Sequence, residues 1–145
     1  MTAVSLEYPV SRYRAETPTD LAESKSRERL SAPALEAFFN IMARWKVRDE
    51  DARALLGGVT NGPFYELKRN PDRVLEVDRL TRVSYLIGIF KALNILHGRV
   101  LADEWVHLPN RHPVFGGRPP LAVMIQGGLP ALQMVRRLLD ARRAG

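Results

Sequence analysis

The chain has 145 residues and 46% hydrophobic content, enough for one or two small domains with a real core. It has no cysteine, which excludes a disulfide framework, a thiolate zinc site and a cysteine nucleophile. The net charge of +6 points to an anionic partner, and residues 118–145 hold most of the excess, with five arginines against Asp140 alone.

Residues 1–30 are polar, mixed in charge and poor in large aliphatics, so a disordered or partly helical arm is expected there. The opening MTAVSLEYPVSRYR has no basic stretch leading into an apolar run, so it does not read as a secretory signal, and a cytoplasmic protein is expected.

The first firm helix is expected from Ser31, with Ser31 as N-cap, Pro33 in the first turn and Glu36 favouring the dipole. Leu35, Phe38, Phe39, Met42 and Trp45 recur at helical steps and give it one buried face. A short helix follows near Asp49, with acids at its start and Gly57-Gly58 at its end. Thr60 then caps a third helix, which Asn70-Pro71 terminates.

Two short helices joined by a tight Gly-containing turn make a helix-turn-helix pattern, although a plain helical hairpin has the same spacing. If the pattern binds DNA, its second helix enters the major groove. Thr60, Asn61, Phe64 and Tyr65 are then the candidate base readers, with Lys68 and Arg69 on phosphates. Glu66 repels phosphate, and the segment 57–70 carries one net positive charge, so one copy should bind weakly and an assembly is needed.

Leu80 to His97 is the longest apolar run, and its apolar side chains cover more than half of a helical circumference. It is therefore a central helix, about 27 Å long, packed against both halves of the chain. Arg82, Lys91 and Asn94 interrupt it, which argues against a membrane span. Ser84, Gly88 and Ala92 form a strip of small residues where another backbone, from the same chain or a second copy, can approach closely. The strip and the broad apolar surface suggest a homodimer.

Arg99 to His107 reads as a short helix. Residues 108–120, LPNRHPVFGGRPP, form a turn-rich connection with Phe115 as its anchor, and Gly116-Gly117 permit positive φ before Arg118. His107 and His112 have no third ligand nearby, so no metal site is expected. Two helices close the chain, one from Pro119 or Pro120 to Gln126 and one from Leu129 to about Ala141, with Gly127-Gly128 between them. No clustered histidines and no carboxylate pair in an apolar pocket argue for catalysis, so no enzyme activity and no cofactor are expected.

The stretches WKVRDEDARALLGGVTNGPFYELK, RVSYLIGIFKALNIL and NRHPVFGGRPPLAVMIQGGLPALQMVRRLLD, in that order, resemble the Xre/MbcA/ParS antitoxins. The resemblance covers roughly Leu30 to Ala141. It implies an all-α fold with an Xre-like helix-turn-helix bundle and central helix over 31–98 and a C-terminal helical toxin-binding domain over 99–145. It implies an antitoxin of a type II toxin–antitoxin system whose partner is a RES-domain toxin that consumes NAD. Such an antitoxin covers the toxin's active site and binds its own promoter DNA as a repressor, in a larger complex with no membrane role. By the same resemblance, Phe115, Gly116, Gly117, Arg118, Arg136, Arg137, Arg142 and Arg143 fall in the toxin-binding part. The third helix departs from the family's usual pattern at Asn61-Gly62-Pro63 and Glu66, where more polar or basic residues are common. A free-standing helix-turn-helix regulator without a toxin is the competing reading.

Overall fold

The computed structural model of the chain describes residues 20–144. Residues 1–19, most of the expected arm, lie outside the described residues. Among the described residues the chain is all-helical: α1 (Ser24–Arg44), α2 (Asp49–Leu55), α3 (Asn61–Arg69), α4 (Val77–His97), α5 (Arg99–Trp105) and α6 (Pro120–Ala144). None of these helices is long and apolar enough to cross a membrane.

The first helix begins seven residues before the expected start, and Ser31 is not its N-cap. Ser31 is buried in mid-helix, 1% exposed. Its hydroxyl donates to the Arg27 carbonyl at 2.6 Å and accepts the Leu75 backbone N–H at 2.8 Å. One side chain thus satisfies a buried donor in the α3–α4 connection and pins that connection to α1. The early start is held by Arg27, whose guanidinium donates to the carbonyls of Leu21 and Ala22.

The fourth helix is the centre of the molecule. It packs most extensively against α6, then against α1 and α5. Leu80, Val83, Leu86, Ile89, Ala92 and Leu93 are buried along it, while Tyr85, Ile87, Phe90 and Leu96 are partly buried. The core also takes Phe38 and Trp45 from α1 and its end, Phe64 from α3, Phe115 from the long loop, and Met124, Leu132, Val135 and Leu139 from α6. Each such side chain stabilises the fold by about 1.5–3 kcal/mol relative to exposure.

Two polar contacts tie the halves together. His107 Nε2–H donates to the Trp45 carbonyl at 2.6 Å. Arg44 pairs with Asp103 at 2.8 Å, and its guanidinium lies 5.5 Å from the Phe90 ring centre. The two expected C-terminal helices are present as one kinked element. Gly128 breaks it with φ 65 and ψ −151, a conformation essentially confined to glycine.

Candidate functional site

The helix-turn-helix surface is built by α2, the turn 56–60 and α3. Acids fill the first turn of α2, where they complement the helix dipole. Thr60 is the N-cap of α3 with extended backbone, and its carbonyl accepts the Phe64 N–H at 3.0 Å. Thr60, Asn61, Tyr65, Lys68 and Arg69 are exposed.

Phe64 is not a base reader. It is 1% exposed and packs edge-on against Phe39 of α1, with ring centres 5.6 Å apart. Phe64 and Leu67 together form the buried stripe that seats α3 on α1. A helix of nine residues needs that apolar anchor, and the i, i+3 spacing supplies it.

Electrostatics on this face are largely internal. Tyr65 donates its hydroxyl to Asp49 Oδ2 at 2.9 Å, and Lys68 pairs with Asp49 Oδ1 at 3.2 Å. The Tyr65 and Lys68 hydrogen bonds hold the Asp49 carboxyl below its ordinary range, and the same contact raises the Tyr65 hydroxyl. Arg69 pairs with Glu66, and Arg73 lies 3.8 Å from the same carboxylate. The two expected phosphate contacts are thus each engaged by an acid, and meeting DNA requires exchanging those pairs.

At the other end, residues 108–119 form a tight loop. Gly117 N–H donates to the Asn110 carbonyl at 2.9 Å, and Arg118 N–H donates to the Phe115 carbonyl at 3.0 Å. Phe115 is fully buried and meets Trp105 edge-on at 5.8 Å, so it anchors the loop rather than meeting a partner. Gly116 and Gly117 adopt φ 58 and φ 83 and are exposed. Arg118 is exposed and donates to Gln126 Oε1 at 2.7 Å, which braces it along the start of α6.

The four arginines of α6 do not behave alike. Arg136 is half-buried and donates Nε–H to Asp140 Oδ2 at 3.0 Å. Arg143 approaches the same carboxylate at 3.9 Å. Arg137 and Arg142 are exposed, with no acidic partner among the described residues.

The expected dimer strip is not a free face. Ala92 is fully buried within the chain. Gly88 is covered by Arg136: a Cβ added there would sit 1.8 Å from Arg136 Nη1. Only Ser84 is exposed. The small residues admit a side chain of α6, not a second backbone. Pairing an arginine with a glycine 48 positions earlier leaves no periodic trace, so the sequence could not have shown it.

Sequence reasoning also missed four exposed aliphatics. Ile95, Val100, Leu101 and Leu108 are 64%, 73%, 58% and 54% exposed, all within residues 95–108. Leu101 lies on α5, where Ala102 is buried and Trp105 is partly buried.

The model of the antitoxin Xre/MbcA/ParS C-terminal toxin-binding domain matches residues 92–145. This segment contains Ile95, Val100, Leu101 and Leu108, the Phe115 loop and all of α6. A protein of Sinorhizobium fredii (strain NBRC 101917 / NGR234), described as uncharacterized protein y4oB, is 37% identical over 124 residues, covering 84% of this chain and 94% of that protein. No solved structure gives a significant match.

Proposed function

We infer, from the fact that the chain belongs to the Xre/MbcA/ParS antitoxin family, that the toxin it neutralises is a RES-domain protein that degrades NAD. Membership makes the chain the antitoxin of a toxin–antitoxin pair, with a toxin as its partner. The finer reading is that residues 99–145 cover the toxin's active site while residues 31–98 bind promoter DNA and repress the operon. A homodimer, joined through a surface other than the Gly88 strip, would give the DNA-binding half the phosphate contacts one copy lacks.

The observation that carries the toxin half is the basic end of α6. Arg137 and Arg142 project without an acidic partner among the described residues, inside the segment similar to a toxin-binding domain. Arginines desolvated at an interface are frequent hot spots, worth roughly 2 kcal/mol or more. The exposed starts of α3 at Thr60 and Asn61 support the DNA half.

Truncation after Leu139 tests the toxin half. Leu132, Val135 and Leu139 are buried and remain, so the melting temperature should hardly change. The truncated protein should protect NAD from the product of the adjacent reading frame less well than the full chain. Equal protection at equal ratio removes the tail from the active-site-covering role.

A further inference from the structure

The seam between α4 and α6 holds a polar pocket of about 420 Å³ lined by Tyr85, Gln133, Arg136, Arg137 and Asp140. Tyr85 comes from α4 and the rest from α6. Arg136 is one of the two arginines that line this pocket. Its guanidinium lies over Gly88, in space that any side chain would take away. Asp140 accepts from Arg136 Nε at 3.0 Å, which orients the guanidinium and leaves its two Nη groups to point elsewhere. Arg137 adds a second positive charge with no acidic partner among the described residues.

We propose that this seam is a carboxylate-docking pocket that receives an acidic side chain of the partner toxin, with Gly88 and Asp140 as the positioning residues that preset Arg136. The proposal rests on the toxin-binding reading above and adds the anchoring contact to it. A planar guanidinium whose Nη groups have no acid partner among the described residues suits a charge-assisted contact with a carboxylate, and a preset one loses little side-chain freedom on binding. The pocket's charge is net positive, because two arginines face one aspartate. Gln133, Arg136, Arg137 and Asp140 all fall within residues 92–145, the part similar to a toxin-binding domain, so a protein acid is favoured over a DNA phosphate.

Gly88→Ala is the sharp test. Alanine improves helix propensity, and the atom it displaces is the far end of a flexible side chain, so the fold should be kept or strengthened. The probe is the purified product of the adjacent reading frame, with binding of full-length variants measured by calorimetry. Gly88→Ala and Arg136→Gln should each weaken binding about tenfold or more. The double variant should lose no more than the worse single variant, because both act through one guanidinium. Gly88→Ala binding as tightly as the parent, while Arg142→Ala loses affinity, overturns the pocket and leaves the toxin-binding reading standing. Loss of promoter binding with toxin binding intact also overturns it, since the pocket would then serve phosphate. A parent chain that does not bind the probe at all overturns both readings.

Discussion

Ser31 and Asp49 show how single polar groups organise this molecule. The Ser31 hydroxyl is the acceptor for a buried backbone donor at Leu75. Ser31→Ala should therefore lower stability by about 1–3 kcal/mol, read from urea unfolding, whereas an exposed capping serine would cost less. The sequence made Ser31 look like a helix start, because Ser followed by Pro two positions later is the usual signature of one; the long-range bond to Leu75 has no local signal. Asp49 ties down Tyr65 and Lys68 on α3. Asp49→Asn should free Lys68, raise non-specific DNA affinity and steepen its salt dependence by about one unit, measured by fluorescence anisotropy across salt concentrations. The native carboxyl titrates below its ordinary value of 3.8. The stabilisation from this cluster is therefore fully present above the ordinary value and is lost as pH falls through the lowered one. A carboxyl titration of Asp49 by NMR should place its midpoint under that of a free aspartate. Phe64 was legible as core all along: Phe64 and Leu67 lie three apart, and that apolar spacing outweighs position near a helix start.

At the scale of elements, the helix order and most boundaries followed from periodicity, caps and prolines. Thr60, Asn70 and the Gly-rich ends of α2 and of the first half of α6 fall where local chemistry puts them. What local chemistry could not place was the partner of each face. The small residue at Gly88 was read as a seat for a backbone and is a seat for the Arg136 guanidinium. Gly88→Leu should destabilise the single chain by roughly 1–3 kcal/mol through overpacking, and thermal unfolding should show the loss at every protein concentration. A loss that vanishes on dilution would instead point to an interface between copies. Gly128→Ala should cost about 1–3 kcal/mol, because φ 65 with ψ −151 is strained for any residue with a Cβ. Circular dichroism melts would measure it, with Gly58→Ala as a comparison at another positive φ in open space.

The whole molecule is held together by one helix that belongs to both ends. The segment similar to the toxin-binding domain begins at residue 92, inside α4, and α6 packs chiefly on that helix. A fragment of residues 99–145 keeps α6 but loses the surface that covers Val135 and Leu139, so it should be largely unfolded when expressed alone. Extending the fragment to residue 77 should restore helical signal and a cooperative melt. The same sharing restricts how such proteins can diversify. Swapping partner specificity between relatives by recombination at the α4–α5 turn would join one parent's α4 to the other's α6, and every mismatch along that seam would be felt by both ends at once. Crossovers ahead of Val77, in the connection that Ser31 clasps, keep the central helix with the tail it carries and move the mismatch to its smaller seam with α1.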